Sequence, residues 1–435
     1  MLTGVIICFV IGYLVIVLEH PLKLDKTVPA LLMAALCWGL IAVGHLEVFE
    51  LHDGHLTEGP LENVLLHHLG KTAEILVFLI GAMTIVEIID LHRGFEILKS
   101  WVFTSSRKKL LWVICILAFF LSAIIDNLTA TIVLVTLLRK LVHEREERLW
   151  YVGMVVIAAN AGGAWSPIGD VTTTMLWIGK KVTTGGLIVN LVIPSIVCMV
   201  IPTYIASFLK PFRGEITLDE AEMSNEPNNL LSSRTMLFLG LGAIIFVPIF
   251  KTITHLPPYV GMMLSLGVVW LVSEYIHPEE DFSEERRHLY SAHHALSRIE
   301  MSSILFFLGI LMAVASLESL GTLLHLAEGL DKAIPNQDVV VMLLGVGSAI
   351  IDNVPLVAAS MGMYTEAVDS KLWHFIAYAA GTGGSMLIIG SAAGVAAMGM
   401  ERIDFIWYFR KLGWLAAVGF VTGAITFLVM APLIH

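Results

Sequence analysis

A six-residue string that contains an acid and an amide occurs twice in this sequence, each time within an apolar stretch. The string is Ser-Ala-Ile-Ile-Asp-Asn, at 122–127 and again at 348–353. Six consecutive identities indicate an internal duplication. A carboxylate deep in a bilayer costs about 2.5 to 3.5 kcal/mol on insertion scales, so an acid at that depth is a functional candidate. Asp126 and Asp352 are therefore the first residues expected to do chemistry.

A second pair of segments supports the duplication and adds a third acid. Asn-Ala-Gly-Gly at 160–163 precedes Gly-Asp at 169–170, and Gly-Thr-Gly-Gly at 381–384 precedes Gly-Ser at 390–391. These glycine-rich stretches are expected to interrupt two helices. Backbone groups freed at a break are tolerated in a membrane only where they pack in protein or face a watery cavity. We therefore expect the two interruptions and the two Asp-Asn strings to meet near the bilayer midplane.

The side chains at these breaks form an oxygen-rich set that suits a hard cation. The lack of Lys and Arg within the four segments argues against an organic anion as substrate. Because burial and neighbouring acids favour the neutral carboxyl, such a group can hold a proton or a sodium ion, but not both. The candidate transport residues are Asp126, Asn127, Asn160, Ser166, Asp170, Thr172, Asp352, Asn353, Thr382 and Ser385, with sodium expected at Asp126, Asp170 and Asp352. The alternative, that the aspartates only cap helices, stays open because Asp is a common N-cap.

Composition places these segments in a membrane. Hydrophobic residues make up 57% of the 435 positions and charged residues 14%, whereas about a quarter of a soluble domain is charged. Apolar runs of about 20 residues, the length that crosses a bilayer, recur along the chain. We expect one all-α polytopic membrane domain over 1–435. The predicted spans are 2–19, 28–44, 73–90, 151–178, 185–208, 235–250, 258–276, 302–325, 372–400 and 412–433.

Two further apolar stretches, 110–138 and 338–364, carry the repeated string near the middle and are predicted to be re-entrant hairpins. Lys and Arg collect in cytoplasmic loops, and basic residues, Lys99 among them, flank the first stretch on both sides. With both stretches re-entrant, most of the 26 Lys and Arg residues lie inside, and those left outside are Lys71, Lys180, Lys181, Lys251, Lys332 and Lys371. Both termini are then external.

The same topology gives the two halves of the chain opposite orientations. The predicted inverted repeats cover about 60–210 and 290–435, and the segments 1–59 and 211–289 flank them as scaffold. The first hairpin opens to the cytoplasm and the second to the exterior.

The strings also resemble a known family. Ser-Ala-Ile-Ile-Asp-Asn at both hairpins, together with Asn-Ala-Gly-Gly-Ala-Trp-Ser-Pro-Ile-Gly-Asp-Val-Thr-Thr-Thr at 160–174, is similar to the NhaD-type sodium/proton antiporters of the ion transporter superfamily. The resemblance implies the inverted-repeat ion transporter fold, a homodimer in a bacterial inner membrane, and elevator-like alternating access. It also implies lithium as a second substrate.

The hairpin tips bear on the choice of substrate. Superfamily members that carry dicarboxylates have Ser-Asn-Thr at the tips, where this chain has Asp-Asn-Leu at 126–128 and Asp-Asn-Val at 352–354. The acids favour export of sodium in exchange for protons. A sodium-coupled symporter of a small organic or inorganic anion stays open as the alternative.

Other classes of function find little support. A channel or a membrane-embedded enzyme would need a continuous polar stripe, a nucleophile or a metal-binding set, and the sequence shows none. We expect no cofactor and no nucleic acid, with sodium, protons and the lipid bilayer as partners.

Overall fold

The structure of this chain, a computed structural model, is almost entirely helical. It describes residues 1–52, 55–98, 102, 104, 106–215, 230–278, 290–350 and 352–434. Lys99, Ile351 of the second repeated string, and part of the loop predicted to be basic near 286 lie outside the described residues.

The first half of the chain holds the first hairpin and the first interrupted helix. Its helices are α1 (Leu2–Val17), α2 (Glu19–Leu22), α3 (Thr27–Val43), α4 (Leu61–Leu91), α5 (Arg107–Ile125), α6 (Asn127–Leu141), α7 (Arg145–Gly163), α8 (Val171–Ile178) and α9 (Thr184–Ala206). Short 3-10 turns lie at Gly94–Glu96 and Lys210–Phe212. Between α3 and α4, a small antiparallel β-hairpin that the sequence analysis did not predict is formed by β1 (Val48–His52) and β2 (His55–Gly59).

The second half repeats the order of hairpin and interrupted helix. Its helices are α10 (Ser233–Thr254), α11 (Pro258–Tyr275), α12 (Ala292–Arg298), α13 (Met301–Ser319), α14 (Thr322–Ala333), α15 (Gln337–Gly347), α16 (Asn353–Met363), α17 (Lys371–Gly383), α18 (Ala392–Glu401), α19 (Phe405–Tyr408) and α20 (Trp414–Ile434). A 3-10 turn follows α17 at Gly384–Met386, and a π-helical turn precedes α20 at Phe409–Gly413. The predicted span 302–325 ends early because the chain turns at Gly321, whose φ is 68°.

Helix length and composition agree with a multi-pass membrane protein. Of the helices in the described residues, 6 are long and apolar enough to cross a bilayer, and shorter apolar helices accompany them. The two predicted hairpins are present as α5 with α6 and as α15 with α16. The predicted helix interruptions are also present, between α7 and α8 and between α17 and α18.

Corresponding contacts hold each hairpin against an interrupted helix. Ser122 Oγ donates to Ala159 O at 2.6 Å, and Ser348 Oγ donates to Ala380 O at 2.9 Å. The helices approach closely enough that a Cβ at Gly162 would overlap a main-chain oxygen of α5. Each half of the chain therefore makes the same contact between its hairpin and its interrupted helix.

The helices sort into two groups by their packing. The scaffold group consists of α1, α3, α4, α10, α11 and α13, and the hairpin group consists of α5 to α9, α15, α17, α18 and α20. Helix α16, the second arm of the second hairpin, contacts α13 of the scaffold group as well as α8 and α17 of the hairpin group. The tip that begins α16 therefore lies at the boundary between the two groups.

Candidate ion-binding site

Asp126 forms the tip of the first hairpin in a strained backbone conformation. Its φ of 82° and ψ of 158° lie in a region that residues other than glycine rarely adopt. Its carboxylate caps α6 by accepting hydrogen bonds from Thr129 N at 2.8 Å and Thr129 Oγ1 at 2.9 Å. Strain of this kind costs on the order of 1 to 3 kcal/mol and is concentrated at functional sites. The cap and the ion-binding role are compatible, because two bonds leave lone pairs on the carboxylate free.

Asp170 is the hub of the site. Its side chain is 2% exposed, and its Oδ1 accepts from Thr172 N at 2.9 Å and from Thr172 Oγ1 at 2.8 Å. Its Oδ2 accepts from Asn127 Nδ2 at 2.7 Å, and Asn353 Nδ2 lies 3.4 Å from both oxygens. These neutral donors come from both hairpin tips and from the start of α8. The predicted meeting of separate chain breaks is thus present at Asp170.

Asn160 connects this hub to the fourth break. Its Oδ1 accepts from Asn127 Nδ2 at 3.0 Å, and its Nδ2 donates to Ser391 Oγ at 2.9 Å. Ser391 caps α18, since its Oγ also accepts from Gly394 N at 3.1 Å. Asn160 therefore joins the two interrupted helices directly through Ser391, and it also links them to the tip of the first hairpin through Asn127.

None of the four candidate hydroxyls lines the cavity at the aspartates: Thr172 donates to Asp170 Oδ1, and the other three donate to main-chain carbonyls. Ser166 Oγ donates to Ala123 O at 2.5 Å, behind the tip of the first hairpin. Thr382 Oγ1 donates to Tyr378 O, and Ser385 Oγ donates to Thr382 O, both at 2.6 Å. Each of these three hydroxyls is thus engaged with a main-chain carbonyl near a break, and a role in holding the ion stays a prediction.

Asp352, at the tip of the second hairpin, has a partner that sequence reasoning missed. Its Oδ1 accepts from Val354 N at 3.2 Å, and its Oδ2 forms an ion pair with Lys26 Nζ at 2.8 Å. Lys26 precedes α3 and lies 326 positions from Asp352 along the chain. The only sequence signal is a basic residue directly before an apolar run, and that signal does not indicate which acid it meets.

The three aspartates line one cavity between the two groups of helices. Lys26 lines it too and is the only Lys or Arg among the described residues that do so. The rest of the wall is largely apolar and includes Phe78, Met83, Ile124, Ile168, Ile244 and Phe307. A site with three carboxylates, one ammonium and apolar walls favours a small cation and disfavours an anion.

A larger, charged cavity adjoins this one. Met83, Leu128 and Thr129 line both cavities, and the larger one encloses about 1360 Å³ including its open mouth. Its wall contains acids paired with bases: Arg298 lies 3.1 Å from Glu87 and 2.8 Å from Asp90. The larger cavity extends from Lys140, near the end of α6 where the first hairpin opens, to Leu128 and Thr129 beside Asp126.

The chain is similar to a known protein family and to several known antiporters. The family profile described as citrate transporter matches residues 13–375. Sodium/proton antiporter 1 of Arabidopsis thaliana is 46% identical over 97% of this chain and 71% of that protein. Sodium/proton antiporter 2 of the same plant is 44% identical over 97% of each protein. The Na(+)/H(+) antiporter NhaD of Alkalimonas amylolytica is 32% identical over 93% of this chain and 85% of that protein.

A comparison with solved structures identifies the fold. The crystal structure of the Alcanivorax borkumensis YdaH transporter, described as having an unusual topology, aligns with a TM-score of 0.63 over 94% of this chain and 98% of that one. The sequence identity is 14%, so the likeness shows the fold alone. The predicted ion transporter fold is confirmed.

Proposed function

Because this chain belongs to the citrate transporter family and, within it, to the NhaD-type sodium/proton antiporters, we propose that it exchanges sodium ions for protons across a membrane. It is a multi-pass transporter and not an enzyme. The observation that carries the proposal is the convergence of Asp126, Asp170 and Asp352, from three separate chain breaks, on one cavity.

Exchange follows from competition for the same carboxylates. Sodium binds among the three aspartates, where Asp126 has free lone pairs and the described hydrogen-bond partners of Asp170 are neutral donors. A proton on one of these carboxyls removes the charge that sodium requires, so the two ions exclude each other. No cofactor enters the cycle, since both substrates are ions.

Movement of the hairpin group against the scaffold group would give the alternating exposure. We assign the second tip and α16 to the moving hairpin group, because Asn353 is linked to Asp170 within that group. The scaffold group supplies the opposite wall of the cavity. The charged cavity that adjoins Asp126 supports a form open to the predicted cytoplasmic side. We retain the repeats at about 60–210 and 290–435, with opposite orientation, as part of this elevator-like proposal.

The remaining details come from the family resemblance. We propose that lithium is a second substrate, since it is a small hard cation that suits the same oxygen ligands. We also propose a homodimer in a bacterial inner membrane with both termini external. The alternative, sodium-coupled transport of a small anion, is disfavoured by the three carboxylates, because Lys26 is already paired with Asp352.

The proposal is tested by proton flux in everted membrane vesicles that contain the protein. Addition of sodium or lithium chloride is expected to release protons from vesicles acidified by respiration, and dependence of labelled-anion uptake on sodium would instead favour the symporter. Asp126→Asn and Asp352→Asn are each expected to lower the sodium-driven flux below a tenth of the wild-type rate, since Asn removes the charge yet is itself a good N-cap.

Asp404→Asn is the matched control. Asp404 caps α19 by accepting from Trp407 N at 2.8 Å and lies outside the cavity lining. This variant is expected to transport at the wild-type rate. Wild-type flux in both Asp126→Asn and Asp352→Asn would mean that these acids act only as caps, and it would overturn the proposed mechanism.

A further inference from the structure

The ion pair between Lys26 and Asp352 joins the scaffold group to the tip of the second hairpin. We propose that Lys26 is an internal cation that occupies Asp352 whenever the carrier holds neither sodium nor a proton, and that it thereby restrains the empty carrier. The inference rests on the proposed exchange function and adds a coupling residue to it.

The position of Lys26 is fixed from the scaffold side. Thr27 N donates to Asp25 Oδ1 at 2.8 Å, and Thr27 Oγ1 donates to Ser302 O, in the first turn of α13, at 3.0 Å. The main chain at Lys26 is thus tied to the scaffold group, while its side chain reaches across to Asp352. The ammonium also lies 4.5 Å from the centre of the Phe306 ring, a contact that favours a cation.

The pair is accessible enough to be displaced. The side chains of Lys26 and Asp352 are 25% and 16% exposed, and both residues line the main cavity and a smaller neighbouring one. Glu19 also lines the smaller cavity, so a released ammonium has a second acid within that space. The pair can therefore open without leaving a bare charge in an apolar wall.

Three occupants compete for the Asp352 carboxylate. Sodium at this carboxylate would sit against the ammonium of Lys26, and two cations in a poorly solvated cavity repel each other. A protonated carboxyl is no longer an anion and loses the charge-assisted bond to Lys26. Either substrate thus releases the scaffold contact, and only the empty, ionised carboxylate retains it.

This exclusivity bears on coupling. Tight exchange requires that the carrier reorients when it holds sodium or a proton but stays in place when it is empty. An empty carrier that moved would let sodium cross without a returning proton. The Lys26–Asp352 pair links the stationary and moving groups in the empty state alone, which is the state that must be held.

The test uses purified wild-type and variant protein in proteoliposomes, with sodium tracer uptake and internal pH followed together. Lys26→Met is expected to lower the sodium concentration for half-maximal exchange by about tenfold. This is the change expected if the Lys26–Asp352 pair is closed in about nine-tenths of the empty carriers, which leaves about a tenth able to bind sodium. The same variant is expected to move fewer protons per sodium ion than wild type. Lys26→Arg retains the charge and is expected to restore both values.

Lys371→Met is the matched control. Lys371 forms an ion pair of similar length with Asp338, 2.7 Å, within the hairpin group and outside the cavity lining. This change is expected to leave both values as in wild type. Lys26→Gln serves as a second neutral variant should Lys26→Met not yield folded protein.

The outcomes separate the two proposals. If wild-type protein shows no sodium-driven proton movement, the proposed function is overturned and the coupling role falls with it. If wild-type protein exchanges normally and both neutral variants keep the wild-type ratio and half-saturation, the coupling role of Lys26 is overturned. Equal loss of activity in the neutral variants and in Lys26→Arg would also overturn it, by indicating a role in structure.

Discussion

Replacing Asp170 with Asn tests whether the hub of the site depends on a carboxylate. The new amide can still offer its oxygen to Thr172, which leaves its NH2 group at the position of Oδ2. In the wild type, Oδ2 lies 2.7 Å from Asn127 Nδ2 and 3.4 Å from Asn353 Nδ2, so the new NH2 group would face two other NH2 groups. Asn127 Nδ2 would keep only its bond to Asn160 Oδ1, and Asn353 Nδ2 would keep only its contact with the remaining oxygen. The loss of a hydrogen bond to a charged group costs about 1.5 to 3 kcal/mol, which corresponds to roughly a 10- to 150-fold smaller population with both tips docked.

Sodium-driven proton flux in proteoliposomes is the assay. Asp170→Asn is expected to lower the flux by at least the smaller of those factors, with a further loss because one of the three charges for sodium is gone. The double variant Asn127→Asp with Asp170→Asn again places a carboxylate opposite an amide. Asn160 would then have to turn its NH2 group toward the new Asp, and it can do so because the Ser391 hydroxyl can donate to the Asn160 oxygen as well as accept from its nitrogen. The double variant is therefore expected to recover at least tenfold over the single variant. Near wild-type flux in Asp170→Asn would refute this account of the hub.

Two further predictions concern how the hairpin group is held together. Gly162→Ala is expected to lower the free energy of unfolding of the purified protein by about 1 to 3 kcal/mol, since its Cβ would overlap a main-chain oxygen of α5. The control Gly267→Ala has open space around the new Cβ and is expected to change the melting temperature little. Equal melting temperatures in the two variants would contradict the close packing. Glu401→Gln is expected to cost about 3 kcal/mol, because the carboxylate is 2% exposed and lies 2.6 Å from Arg139 and 3.0 Å from Arg148. An unchanged thermal unfolding curve would indicate that water replaces these ion pairs.

The hairpins could be predicted from sequence because a membrane leaves few ways to break a helix. Asp-Asn in the middle of an apolar stretch requires a buried polar environment, and basic residues on both flanks indicate entry and exit on one side. The observed first tip lies at Asp126, and α16 begins directly after Asp352. The strained φ at Asp126 was not predictable, since it depends on how the two arms pack.

The direction of individual hydroxyls was beyond the sequence. Thr382 and Ser385 lie beside a break, which made them candidates, yet both donate to carbonyls in their own stretch of chain. Ser and Thr in helices form such local bonds readily. Composition identifies available oxygens, whereas helix rotation decides which of them face a cavity. Ser391, which the sequence places at the second glycine-rich interruption, is by contrast linked to Asn160.

The three aspartates share a cavity but have different kinds of partner. Asp126 is capped by Thr129 of its own helix, Asp170 is surrounded by neutral donors, and Asp352 carries the internal cation Lys26. Under the proposed mechanism, a sodium ion that enters meets only neutral donors at the first two carboxylates and a competing cation at the third. Asp126 and Asp170 thus attract sodium, whereas Asp352 is the carboxylate for which sodium and Lys26 compete. Substitutions at the first two should therefore change sodium affinity, and substitutions at Lys26 should change the restraint on the empty carrier.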